Sequence, residues 1–196
     1  MAAEHGPGRP AAVTAGGSAV ARLSLAALLA AAVTGALVIA GRLHQPDYTA
    51  SLFGQAGIGA VALKSCLASV ALVLAAGQVL LALWLYRKLP GLPAPGRWVA
   101  RGHRLNGVIL IAVTLPVAVH CLIAYGVQLT SLRVGLHSLA GCFLYGAFAA
   151  KILLVQSRRL PRWVLPVAGG TLAAVVAVLW YTAALWYFHG FQLPGL

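Results

Sequence analysis

Residues 103–125 read HRLNGVILIAVTLPVAVHCLIAY. Beyond Arg104 the stretch holds no charged side chain and a single histidine, His120, and as a helix it is long enough to cross a bilayer core of about 30 Å. Pro116 frees a backbone carbonyl one turn back, so a kink is expected there. Runs of the same kind lie on both sides. Upstream, residues 23–41 sit between Arg22 and Arg42, and residues 58–86 end at Arg87-Lys88 before the linker LPGLPAPG at 89–96. Downstream come 134–155 and 163–188. The fold expected is therefore all-α, an integral membrane bundle of about five transmembrane helices within residues 22–190. Residues 1–21, rich in Ala, Gly, Pro and Ser, read as a disordered cytoplasmic tail, and 191–196 as a short outer tail. The first run is long for the apolar part of a signal peptide and reads as a retained helix.

Composition agrees. Of 196 residues, 61% are hydrophobic and 8% charged, too few charges to cover a soluble surface. The net charge of +12 does not describe a nucleic-acid binder, because the basic residues flank apolar runs and form no continuous stripe. With the N-terminus inside, the cytoplasmic side receives eleven basic residues, among them Arg87, Lys88, Arg97, Arg101, Arg104 and Lys151, and the outer side only Arg42, Lys64 and Arg133. Cytoplasmic excess of this kind sets the orientation of a multi-pass protein. Trp84, Trp98 and Trp163 then fall at the inner rim, and Tyr125 and Trp186 at the outer one, with the C-terminus outside. The Arg-rich, Ala-rich usage suggests a bacterial plasma membrane. Cys66, Cys121 and Cys142 form no CxxC pair and read as small buried hydrophobes.

Ionisable groups within a span are costly and are functional candidates for that reason. His120 lies sixteen residues after Arg104, roughly 24 Å along the helix. His137 lies four residues after Arg133, roughly 6 Å below the same surface. Matching depth on consecutive antiparallel helices, joined by a short loop, makes the two helices expected neighbours and the two imidazoles a candidate pair of axial ligands for haem b. Gly141, one turn after His137, leaves room for a flat macrocycle. Arg133 and Lys64 lie at a depth that suits its propionates. His103 opens the third helix as His103-Arg104-Leu105-Asn106-Gly107, in the same H-x-L-x-G pattern as His137 to Gly141. A second, inner haem would need another ligand there; Lys151 is the one cation on that face, as a propionate partner or an unusual ligand. Other readings stay open. The histidines would also serve as interhelical hydrogen bonds, or bind copper or zinc beside Cys121, though no third ligand is evident. Lys64 would also simply snorkel, and Gln78 reads as interhelical glue.

Leu136-His137-Ser138-Leu139-Ala140-Gly141 resembles the LHSWLG segment that carries a haem ligand in the cytochrome b561 and ferric-reductase-like group. That resemblance implies a four-helix haem core from about Lys64 to Phe188, with the first helix added. Pro116 to Cys121 and His137 to Lys151 together also resemble a small bacterial five-span membrane family of unknown activity. The chain departs from the diheme pattern, since its second helix has no histidine and its fifth only His189 at the end. The resemblance therefore implies one haem b, at the outer side, with the inner site in doubt. The function expected is electron transfer between an outer donor or acceptor and quinone or a redox partner protein. The alternatives are a cofactor-free structural or assembly subunit and a small transporter. No hydrolytic or transferase constellation is visible, because Glu4 and Asp47 are the only carboxylic side chains.

Overall fold

The computed structural model describes residues 13–157 and 160–192, with side chains from residue 19 onward. The terminal stretches 1–12 and 193–196, and Arg158 and Arg159, lie outside the described residues. Five long helices account for most of the chain. They are α1 (Val13–Leu43), α2 (Gly57–Leu85), α3 (Arg97–Tyr125), α4 (Leu132–Val155) and α5 (Val164–Trp180). After α5 the chain runs through a π-helical turn, Tyr181–Leu185, into the short α6 (Trp186–Phe188). Among the described residues there is no β-strand, only an isolated bridge between Leu52 and Gln55.

Each of the five spans is long and apolar enough to cross a membrane. Large apolar side chains also point outward along them: Leu28 on α1, Val73 on α2 and Val108 on α3 are 67%, 71% and 66% exposed. In water such faces would be a liability; in lipid they are the expected surface, because the backbone is satisfied within each helix. The protein is a multi-pass α-helical membrane protein.

Two boundaries differ from the sequence reading. α1 starts at Val13 and so takes in residues 13–21, which composition alone assigns to the tail; no proline interrupts this segment, and the helix of the apolar run propagates back through Gly16 and Gly17 despite a cost of about 1 kcal/mol at each. α3 starts at Arg97, just after Gly96 closes the Pro-rich linker, so His103 stands well inside its helix and does not open it.

Helix order in the bundle differs as well. α1 packs on α4, α4 on α5, α5 on α2, and α2 on α3. α3 and α4, though consecutive, are not close packing partners. The place beside α4 is taken by α1 because Gly146 lets the two backbones meet. A Cβ on Gly146 would collide with Thr34 Oγ1 and come within 2.5 Å of the Ala30 carbonyl, the close approach that small residues permit in membrane bundles. One core cluster, Ala26, Ala150, Leu154 and Val164, joins α1, α4 and α5. A second, Ala71, Ala75, Leu144 and Val176, joins α2, α4 and α5, with Leu110 and Val113 of α3 packed against it.

Candidate functional site

The end of the bundle that carries His120 is closed by the α1–α2 loop. The Gly41 carbonyl of α1 accepts from Val127 N–H at 2.9 Å, and the Asp47 N–H donates to the Ile123 carbonyl at 3.0 Å. His44 Nε2 donates to the same carbonyl at 2.9 Å. The loop then turns back through Phe53 and Gly54, both at positive φ, and buries Leu52. Asp47 organises its start. Its Oδ1 accepts from the Thr49 hydroxyl at 2.6 Å and the Thr49 N–H at 3.0 Å, and these bonds hold its carboxyl below the ordinary 3.8.

His120 is buried beneath this loop. Its Nε2 lies 3.2 Å from the Ala50 carbonyl. A carbonyl only accepts, so Nε2 carries the proton and the lone pair of a neutral ring sits on Nδ1. That Nδ1 is buried and without a hydrogen-bond partner. Tyr125 lies edge-on to the ring at 6.2 Å, and Lys64 Nζ sits 4.3 Å over the Tyr125 ring and 3.4 Å from its hydroxyl.

His137 is fixed by a different partner. Its Nδ1 lies 3.0 Å from Thr182 Oγ1. The single hydroxyl proton of Thr182 is spent on the Val178 carbonyl at 2.7 Å, so the hydroxyl accepts from His137 Nδ1–H and the ring's lone pair is left on Nε2. Arg133, one turn earlier on α4, donates to the Thr182 carbonyl at 2.9 Å and stacks on Trp186 at 3.8 Å.

Thr182 belongs to the π-turn, and the local bonding explains the turn. Its hydroxyl bonds back four residues, a pattern that bends helices. Its carbonyl is taken by Arg133, and the Trp186 N–H turns instead to Ala183. Turns of this kind recur at functional sites. Thr182 and Trp186 were not among the expected site residues; a threonine inside an apolar run gives no sign that its helix changes pitch.

Of the expected residues, His137 and Arg133 are brought together on Thr182, and His120 and Lys64 on Tyr125. The Lys64 ammonium lies within electrostatic range of both imidazoles. At Gly141 an added Cβ would meet Leu179 Cδ2 at an ordinary contact distance of 3.9 Å, so a methyl group fits there but Leu179 of α5 already packs against that face. Gly107 is different. A Cβ there would stand 2.7 Å from Gln78 Nε2, so its empty side is already filled by Gln78 and offers no face to a macrocycle.

At the opposite end, Gln78 donates to the His103 carbonyl at 2.8 Å and Asn106 donates to the Leu74 carbonyl at 2.8 Å. Gln78 is thus the interhelical glue expected of it. His103 Nδ1 and Gln78 Oε1 are buried and unpartnered. Lys151 lies in electrostatic range of His103 and lines, with Gln78, Thr114 and Phe148, a cavity of about 60 Å³ between α2, α3, α4 and α5.

Among the described residues no group of three or more His, Cys, Asp or Glu side chains converges, so there is no closed zinc or copper centre of the usual ligand count. All three cysteines are free; Cys142 is buried, but Cys66 is exposed on the outer face of α2 rather than inside the bundle.

Five spans, a buried His120, a half-buried His137 and a π-turn define a helical membrane protein with polar side chains held inside its bundle. The chain belongs to DUF6529, a family of unknown function, which it matches over residues 23–195. No curated protein and no solved structure matches it.

Proposed function

We propose that the protein is a b-type membrane cytochrome, holding one haem near the outer face between His137 and His120. The observation that carries this reading is the hydrogen-bonded state of the two rings. Thr182 leaves His137 with a lone pair on Nε2, its Nδ1–H satisfied in the manner of metal-bound histidines. Ala50 leaves His120 with a buried lone pair on Nδ1 that meets no donor.

The donor set fits haem in kind, since two neutral nitrogens suffice as axial ligands. Lys64 and Arg133 supply positive charge at this end, and Asp47 is the only carboxylate among the described residues, so these cations suit propionates. At Gly141 the α4 face beside His137 is covered by Leu179 alone, a side chain that a macrocycle would have to displace. The fit is closer at His137 than at His120, whose Nε2 is engaged by the loop; His120 would bind through Nδ1 or exchange its Ala50 contact.

When bound, haem supplies one-electron chemistry at low reorganisation. The chain's own residues do the rest. His137 and His120 would hold the iron, Lys64 and Arg133 would favour the reduced, more anionic state, Thr182 fixes the His137 tautomer, and the 44–56 loop covers His120. Electrons would pass to or from quinone or a redox partner protein. The basic-residue asymmetry supports a cytoplasmic N-terminus in a bacterial plasma membrane.

A second reading is supported by the Ala50–His120 bond itself: in a cofactor-free structural subunit, His120 would serve to tie the loop down. A reduced-minus-oxidised absorption spectrum of the purified protein in detergent separates the two. The cytochrome gives a sharp band near ~560 nm, as low-spin b haem does, that is lost in both His137→Ala and His120→Ala. A wild type that stays colourless after expression with added haem leaves the structural reading.

A further inference from the structure

α2 ends in a Schellman motif. The Lys88 N–H returns to the Leu83 carbonyl at 2.8 Å and the Arg87 N–H to the Trp84 carbonyl at 2.9 Å, the two bonds that define this helix stop. Its turning residue, glycine in most such motifs, is Arg87 at φ +54. The left-handed region costs stability to any residue with a side chain, a cost that glycine escapes.

The linker folds back over this stop. Trp84 Nε1 donates to the Pro93 carbonyl at 3.0 Å, and the Trp84 ring meets Trp98 of α3 edge-on at 5.0 Å. The elbow encloses a cavity of about 150 Å³ lined by Trp84, Arg87, Leu89, Leu92, Pro93 and Ala94. Arg87 is the one charged residue of that lining.

The charge around it is of one sign. Lys88 follows directly, and Arg97, Arg101 and Arg104 stand at helical spacing on one face of α3; all five basic side chains are exposed. None of them has an ion-pair or hydrogen-bond partner among the described residues. Asp47, the only carboxylate among those residues, lies in the α1–α2 loop at the other end of the bundle. Tyr86 and Trp98, both exposed, mark the depth of the elbow, because amphipathic rings gather at the headgroup level of a bilayer.

We infer that the α2–α3 elbow binds the headgroup of an anionic phospholipid. Arg87 takes the phosphate, since a guanidinium presents parallel donors to two of its oxygens. Leu89, Leu92 and Trp84 give apolar surface to the glycerol and the first acyl carbons, which a free phosphate ion would leave unused. Lys88 and the three arginines of α3 favour an anionic lipid over a zwitterionic one. Arg87 is then kept at a position made for glycine because its charge is used there. The site stands apart from the haem reading and needs no cofactor.

Native mass spectrometry of the full chain in neutral detergent counts bound lipid directly. Dioleoyl phosphatidylglycerol should bind about tenfold more tightly than dioleoyl phosphatidylcholine, the scale of one charge-assisted contact. Arg87→Gly removes the guanidinium and suits the turn. It should cut the preference to about twofold or less, while melting at or above the wild-type temperature in lipid-free detergent. Arg87→Asn, neutral and also tolerant of left-handed backbone, should lose the preference in the same way. Arg22→Gln takes an equal charge from α1, whose packing partner is α4, and should keep it. Wild type without a preference overturns the inference, as does a preference that survives in either Arg87 variant. An equal loss in Arg22→Gln would mark a general charge effect and overturn it too. Binding lost only together with a lower melting temperature in both Arg87 variants would make Arg87 a residue of the fold alone. Displacement of phosphatidylglycerol by inorganic phosphate, but not by chloride at the same ionic strength, would give the elbow to a free anion and overturn the lipid assignment.

Discussion

The Gln78 side chain of α2 donates to the backbone carbonyl of His103 on α3, and Asn106 of α3 returns the same bond to Leu74 of α2, both at 2.8 Å. Each amide lies over a glycine of the other helix, Gln78 over Gly107 and Asn106 over Gly77. Two adjacent Gly–amide pairs, Gly77-Gln78 and Asn106-Gly107, thus clasp α2 to α3. Nothing apolar would do this in lipid, where burial gives helices little reason to associate and hydrogen bonds and close packing supply the specificity.

Gln78→Leu and Asn106→Leu should each lower unfolding stability by about 1 kcal/mol, the usual range for such bonds in a membrane. The glycines should differ. At Gly107 an added Cβ would stand 2.7 Å from Gln78 Nε2 and displace the amide, whereas at Gly77 it would meet Asn106 at an ordinary 3.6 Å. Gly107→Ala should therefore cost about as much as Gln78→Leu, and Gly77→Ala close to nothing. Equal losses at the two glycines, measured by denaturant unfolding in mixed micelles, would contradict the clasp.

A larger loss is expected at Gly126. It closes α3 with φ +65 and ψ −156, a region open in practice only to glycine. A Cβ there would also lie 2.5 Å from the Gly41 carbonyl, the acceptor of the Val127 N–H that joins α1 to the end of α3. Backbone strain of about 1–3 kcal/mol adds to a clash with backbone that has no side-chain freedom to relieve it. Gly126→Ala should be poorly folded under conditions where Gly35→Ala, whose added Cβ meets nothing within 4 Å, is indistinguishable from wild type. Equal yields and equal melting temperatures for the two would show that the α1–α3 contact is looser than described.

Thr182 gives the haem reading a test that does not remove a ligand. Thr182→Val keeps the shape but takes away the acceptor for His137 Nδ1–H, freeing the ring to turn and change tautomer. Outer partners of this kind are worth about 10–100-fold in affinity, so haemin titrations followed by absorbance should show weakening in that range. Thr182→Ser, which keeps the hydroxyl, should bind nearly as wild type does. A valine variant with unchanged haem affinity would mean that Thr182 does not orient a ligand.

The spans were legible in the sequence because lipid imposes one simple demand, an unbroken apolar run of sufficient length, and 103–125 meets it on sight. The neighbours of each span were not. Loop length suggested that α3 and α4 pack together, but Gly146 and the small residues Ala30 and Thr34 give α1 the closer fit on α4, and contacts between small residues leave no periodic signal. Residue type and position in the spans single out His120, His137, Arg133 and Lys64 as candidates, and the structure gives each of them a polar or aromatic partner. Their bonding was not legible, because Ala50 contributes a backbone carbonyl and Thr182 depends on a π-turn. Gly107 shows the limit of pattern matching: it shares a motif with Gly141 but packs against Gln78.

The loop over His120 should respond to acid through Asp47. This carboxylate is fully exposed, and the Thr49 hydroxyl and N–H, with the nearby His44, favour its charged form, so its folded pKa lies below 3.8. A depressed carboxylate stabilises the fold at pH values above its unfolded pKa, and the contribution fades as pH falls through the folded value. The Asp47–Thr49 turn should therefore hold unchanged from pH 7 to 5 and loosen only below 3.8. Amide hydrogen exchange at Thr49, corrected for intrinsic rates, reads this directly, since that N–H donates to Asp47 Oδ1. Asp47→Asn should exchange faster at neutral pH and show no step in acid. Because Ala50, one residue on, holds His120 Nε2, opening the turn should also release that ring. An acid step that persists in Asp47→Asn would assign the pH response to another group and leave the loop held by Asp47 N–H and His44 on the Ile123 carbonyl alone.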